Sequence, residues 1–215
     1  MKNLVESLGV AAMLAAASAF ANDVGLINHL AGNVSYTSGS STAKAEPFMK
    51  VRDGDRISVT AGAVLRVVYF QDGRQESYMG PASFTAGARQ SRVQSGSQPQ
   101  VTTLPAGVSQ KISQTPELIH IARLGRSGRV AVRGDVRLTP QQQAEVRQAR
   151  QTYEELRRSA PADDVTPELY LYSVLQDHLL YKDMKIVVSE MQRRQPANPD
   201  VAVMVDYVKL KTGVK

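Results

Sequence analysis

AVLRVVYF, residues 63–70, is the stretch that decides the fold. Its apolar run is broken only at Arg66 and it stands between glycines at 62 and 73. A short, β-branched run that is apolar at both odd and even positions predicts a strand covered on both faces rather than one with a wet side. The core of the domain is therefore expected around Val64, Leu65, Val67, Val68 and Phe70. On either side lie further strand-like runs: VGLINHL (24–30), NVSYT (33–37), RISVT (56–60) and RQESYM (74–79). From position 54 onward, glycines at 54, 62, 73, 80, 87 and 96 recur every 7 to 11 residues, the turn spacing of an all-β domain. RQESYM is mostly polar and is expected at a sheet edge.

VRDGDRISV, residues 51–59, raises the question of chemistry, because two aspartates flanking a glycine could be a metal loop, an acid/base pair or a turn. A calcium loop needs further oxygen ligands at alternate positions and a closing glutamate, whereas Arg52 and Arg56 bracket this site. A catalytic carboxylate pair is set apart across a cleft, not placed in one turn. The turn reading explains the stretch better, with Gly54 at positive φ and an aspartate bonding back to its own backbone. Asp55, Asp72 with Gly73, and Gly80 are read as further turn positions.

The order Gly32-Asn33-Val34, then V-x-D-G-D-x-I over 51–57, an apolar strand, Asp72-Gly73 and Gly80-Pro81 resembles the periplasmic domain of the FecR-like family. The resemblance covers about residues 24–95, and Gly54-Asp55-x-Ile57 is its most specific part. It implies a β-rich, solenoid- or sandwich-like unit. Founding members of that family relay a signal from an outer-membrane transporter to a cytoplasmic sigma factor. They carry a cytoplasmic helical segment and a membrane span ahead of the β domain, which this sequence does not show. What the resemblance implies here is the fold and an envelope-binding role, not sigma-factor regulation.

After Thr139 the period changes. Thr139-Pro140-Gln141-Gln142 has an N-cap, a proline at the first helical position and a capping-box glutamine, and Val146, Ala149, Tyr153 and Leu156 follow at helical spacing. Further starts are read at Thr166-Pro167-Glu168 and Asn198-Pro199, with Gly213 as the last stop. Pro167 and Pro199 are 32 residues apart, so the tail resembles tetratricopeptide-type hairpins. Its apolar side chains exceed what a few short helices can hide among themselves, so a β domain, a second copy or a partner must cover the rest. Between the halves, TPELIHIARL (115–124) reads as a short helix and RVAVRG (129–134) as a strand within a structured connector.

The first 21 residues carry Lys2, an apolar run over 8–20 and Ala19-Phe20-Ala21, the pattern of a secretory signal peptide cleaved between Ala21 and Asn22. The run is too short to span a bilayer and no later segment is apolar enough. The expected organisation is thus α+β: a leader over 1–21, an all-β domain over 22–104, a basic connector over 105–138 and a small helical module over 139–215. The chain has no cysteine, so an exported form must rely on burial rather than disulfides. Its net charge of +6 is unchanged when Lys2 and Glu6 leave with the leader, and favours anionic partners.

The search for chemistry returns little. Ser41-Thr42-Ala43-Lys44 and Lys211-Thr212-Gly213 match S-x-x-K and K-T-G of penicillin-interacting enzymes, but no S-D-N lies between them and Gly213 reads as a helix stop. His29, His120 and His178 have no metal-type neighbours, and no Walker, Rossmann or G-x-S-x-G pattern is present. Neither a metal nor another cofactor is expected. Arg123, Arg126, Arg129, Arg133 and Arg137 form the densest charge run, a candidate surface for an anionic partner or else a solvated connector. The leading expectation is a non-catalytic, periplasmic binding or scaffold protein for an envelope protein partner, with no nucleic acid and no membrane span. The alternatives are a binder of cell-wall glycan (peptidoglycan or another anionic polymer) and an envelope hydrolase. For the glycan, Tyr36, Tyr69, Phe70, Tyr78 and Phe84 could stack on sugar rings, although the sequence has no tryptophan.

Overall fold

The computed structural model describes residues 22–125 and 136–213. It is α+β, with ten strands followed by six helices. The strands are β1 (Asp23–Ala31), β2 (Val34–Ser38), β3 (Ser41–Lys44), β4 (Lys50–Arg52), β5 (Arg56–Val59), β6 (Val64–Tyr69), β7 (Arg74–Met79), β8 (Ala82–Ala86), β9 (Ser91–Gly96) and β10 (Gln100–Thr103). They form two antiparallel five-stranded sheets. The first has the order β10-β7-β6-β1-β4 and the second β3-β2-β5-β8-β9.

The sheets pack face to face over one apolar core. Ile27, Leu65, Val67, Tyr69 and Tyr78 come from the first sheet and meet Val34, Ile57, Val59, Phe84 and Ala86 from the second. The Tyr78 and Phe84 rings stack at 4.3 Å. Side chains alternate along a strand, so β6 sends Leu65, Val67 and Tyr69 into this sandwich while Arg66 and Val68 face the other way. That other face is covered by helices, which is why the strand is apolar at nearly every position. RQESYM forms β7, one strand in from the edge rather than at it. Its polar side chains are tolerated because Gln75 and Glu76, both buried, are hydrogen-bonded.

The helices are α1 (Val108–Ser113), α2 (Thr115–Gly125), α3 (Pro140–Ser159), α4 (Thr166–Asp177), α5 (Tyr181–Arg194) and α6 (Pro199–Thr212). α4 is buried along most of its length, with α1, α3 and α5 around it. The stretch 105–138, read from sequence as a connector, therefore contains two helices of the helical core: Val108, Ile112, Leu118, Ile119 and Ala122 are all buried in it. RVAVRG lies outside the described residues. The same core takes in Leu26 of β1 and Phe48, with Phe70 and Leu104 packed against it. The outer face of the first sheet thus covers the apolar excess of the tail. Not all of the excess is covered, since Ile186 of α5 is 67% exposed.

The caps show why the helices start where they do. Thr139 and Gln142 bond each other's backbone N–H, a complete capping box before α3. Asn198 accepts from the Asp200 N–H at 3.0 Å to start α6. At α4 the first residue is Thr166, and it is the Asp164 carboxylate that accepts the Thr166 N–H, at 2.8 Å. This frees the Thr166 hydroxyl for another use.

Candidate functional site

Where the outer face of the first sheet meets the start of α4, the junction is polar. Its strand side is prepared by a bulge. The β1–β6 register shifts between Ile27 and His29, leaving Asn28 as an extra residue, so Asn28 and His29 both turn toward the helices. Asn28 donates to Gln75 Oε1 at 3.2 Å and to the Thr166 hydroxyl. Gln75 Nε2 donates to Asp164 Oδ2 at 3.0 Å, and Thr166 Oγ1 donates to Gln75 Oε1 at 3.2 Å. Gln195, at the C-terminal end of α5, donates from Nε2 to the backbone carbonyls of Asp163 at 3.0 Å and Asn28 at 3.3 Å. His29 Nε2 meets Asp163 Oδ2 at 3.0 Å. Burial holds the His29 pKa below its ordinary value, against the opposing pull of Asp163.

Behind this junction, Glu168 is fully buried and clamped between two arginines. Arg157 Nη1 lies 3.0 Å from Oε2 and Arg194 Nε 3.2 Å from Oε1. Burial nonetheless raises the Glu168 pKa, and burial with the Glu168 charge pushes Tyr153 up to about 12. Arg157 also bonds the carbonyls of Asp164 and Ala160, fixing the loop that delivers Asp163 and Asp164 to the sheet.

Beside the network opens a cleft of about 660 Å³. Its floor is the outer face of the first sheet: Arg66 of β6, Gln75 and Ser77 of β7, Gln100 and Thr102 of β10. One wall is the end of α3 with the loop after it, including Leu156, Ser159, Pro161 and Asp164. Met79, Ser97 and Gln98 stand on another side. Apolar walls around a few convergent polar groups are the usual make-up of a binding site. Arg66 is the notable group. It is 5% exposed, and its Nε donates to Ser77 Oγ at 3.1 Å. Its terminal nitrogens lie 3.6 Å from Asp163 and 3.9 Å from Asp164, attractive but beyond hydrogen-bond length. Nη1 has no hydrogen-bond partner among the described residues.

The residues singled out in the sequence are placed elsewhere. Gly54 takes φ +88°, and Asp55 is buried, accepting the Arg52 N–H at 2.7 Å and the Tyr36 hydroxyl at 2.5 Å. Asp72 accepts the Arg74 N–H at 3.2 Å with Gly73 at φ +68°. Gly80 lies so close to β5 that a Cβ would stand 1.9 Å from the Thr60 carbonyl oxygen. Arg123 pairs with Asp200, Arg137 is exposed, and Arg126, Arg129 and Arg133 lie outside the described residues, as does Ala21. Asn22 is exposed at the start of β1. Ser41–Lys44 form β3 of the second sheet, while Lys211-Thr212-Gly213 end α6. Of the aromatic set, Tyr69, Tyr78 and Phe84 are buried in the sandwich and offer no face to a sugar ring. His120 is exposed and His178 meets Glu145 at 3.2 Å; among the described residues no cluster of three or more possible metal ligands occurs.

Asn28, Gln75, Asp163, Asp164 and Thr166 were not singled out as a site. The one signal in the sequence was Arg66, the sole break in an apolar strand. Among the described residues no helix is long and apolar enough to cross a membrane. No family model, curated protein or solved structure matches this chain.

Proposed function

We propose that this chain is a non-catalytic, FecR-like binding or scaffold module, exported to the periplasm of a bacterial envelope, that takes a protein partner. The G-x-V, G-D-x-I and D-G positions support the family reading, and the leader-like first 21 residues support export. The observation that carries the binding role is the cleft, whose floor sets Arg66, Gln75, Ser77, Gln100 and Thr102 together on the outer face of the first sheet. The test is affinity capture from envelope extract with the chain starting at Asn22, beside Ser159→Trp. Ser159 is exposed on the cleft wall, so a tryptophan there fills the cleft without touching either core. We expect one protein, identified by mass spectrometry, to be captured by the native chain and lost with Ser159→Trp. Capture of cell-wall polymer instead, or equal capture by both chains, would overturn the reading.

A further inference from the structure

The first sheet ends in two edges and the second in two more, and they are not protected alike. An exposed edge strand templates the pairing of another chain unless charges, prolines, bulges or a cover prevent it. At β4, Lys50 is tied to Asp23 and Glu117 at 3.2 and 2.7 Å, and Arg52 follows. β3 ends in Lys44. β9 carries Arg92 and its pairing with β8 shifts register between Ser83 and Phe84. β10 is Gln-Val-Thr-Thr: uncharged, in unbroken register with β7, and exposed at all four residues.

Its free groups can be assigned. The Leu104 N–H bonds the Gly73 carbonyl at 2.9 Å, in the same register that pairs Thr102 with Gln75 and Gln100 with Ser77. Antiparallel ladders alternate, so these residues carry the bonds to β7, and the N–H and C=O of Val101 and Thr103 point away from the sheet. The edge opens directly on the cleft, because Gln100 and Thr102 belong to both.

We infer that β10 is a strand-addition site: an extended, carboxylate-free segment of a partner protein pairs with Val101 and Thr103 as a sixth strand of the first sheet and turns alternate side chains into the adjoining cleft. This rests on the binding-module reading. Main-chain pairing supplies affinity in this mode, and pockets for alternate side chains supply selectivity. The segment is free of carboxylates because the cleft already sets two carboxylates, Asp164 and Glu155, against one guanidinium, Arg66. An added carboxylate meets repulsion there.

Phage-displayed linear dodecapeptides, selected on the full chain from Asn22 and then synthesised, provide the probe. Val101→Pro removes the outward N–H without removing a ladder bond to β7, and Val101→Thr keeps it. We expect selected peptides poor in Asp and Glu, with affinity weakened about tenfold or more by Val101→Pro, the worth of one or two hydrogen bonds. Val101→Thr should bind like the native chain. N-methylation of alternate peptide residues should abolish binding in one phase only. Equal binding to Val101→Pro with an unchanged melting curve, or failure to select any peptide, would overturn strand addition. If an envelope protein were still captured by Val101→Pro, the binding-module reading would stand and the β10 site alone would fall.

Discussion

The two faces of the first sheet are built from the same strands and held by different physics. Its inner face presents Leu65, Val67 and Tyr69 to a closed apolar core. Its outer face gives Leu26 to the helical core and, beside it, presents Arg66, Gln75 and Asn28 to a junction of directional contacts. Apolar burial is proportional to area and forgives small shifts. A buried hydrogen-bond network is all or nothing, since one missing partner leaves the others desolvated and unpaired. The inner face therefore makes the fold, and the outer face fixes how the helices sit on it and leaves one donor unused.

The strongest way to break this comparison is to separate the halves. Residues 139–215 expressed alone lose Leu26, Phe48, Val108 and Ile112 from the helical core. Isolated helices of this length are marginal in water. We expect weak circular dichroism and no cooperative thermal transition, with helicity restored on adding 22–138. A monomeric fragment that melts cooperatively would show that the outer face is not needed to fold the tail.

Next in size, Leu65→Ala on the inner face should cost about 2–5 kcal/mol in urea unfolding, a large-to-small change at a site with no exposed surface. Asp164→Asn on the outer face should cost about 1–3 kcal/mol, because the new amide group would have to face the Gln75 amide or the Thr166 N–H. The asymmetry is testable by double substitution. Asp164→Asn with Gln75→Glu restores donor to acceptor and should recover part of the loss, whereas Leu65→Ala has no such rescue.

How much of this was legible follows the same division. The all-β half could be read, though not whether it was a sandwich or a solenoid, because strand patterning and glycine spacing are local properties, and β6 declares in its own composition that both of its faces are covered. The capping box at Thr139 is equally local. The junction was not legible because it depends on pairs remote in sequence: Asn28 with Thr166, Gln75 with Asp164, Gln195 with the Asn28 carbonyl. The bulge at Asn28 leaves no glycine or proline to announce it. The polarity of RQESYM points to an edge because polarity in a strand usually means solvent, whereas in β7 the polar groups have partners across the chain.

The junction should also be sensitive to acid. The folded pKa of His29 lies below its ordinary 6.5 because of burial, with Asp163, Asp164 and Arg66 as the charged groups facing it. The unfolded chain therefore takes up this proton first as pH falls. Its contribution to stability is complete above about 6.5 and is lost progressively on acidification toward the lowered folded value. Chemical denaturation from pH 7.5 to pH 5.5 should show the native chain losing stability faster than His29→Gln, which has no group to titrate. Parallel pH profiles would mean that His29 is protonated equally in both states and that its packing against Gln195 does not exclude water.

The smallest expected effect lies at the turn between β4 and β5, away from both faces, and it closes the question raised by the D-G-D sequence. Gly54 has φ +88° and a Cβ built on it meets nothing within 4 Å, so any substitution there is penalised by backbone strain alone. Gly54→Val should cost about 1–2 kcal/mol, the penalty of a β-branched residue in left-handed backbone. Asp53 is exposed and Asp55, not Asp53, accepts the turn's hydrogen bonds. Asp53→Asn should therefore leave melting temperature and partner capture unchanged, within about 0.5 kcal/mol. Loss of partner capture by Asp53→Asn at unchanged stability would move the functional surface from the cleft to this turn, and the polar outer face would then be no more than a domain junction.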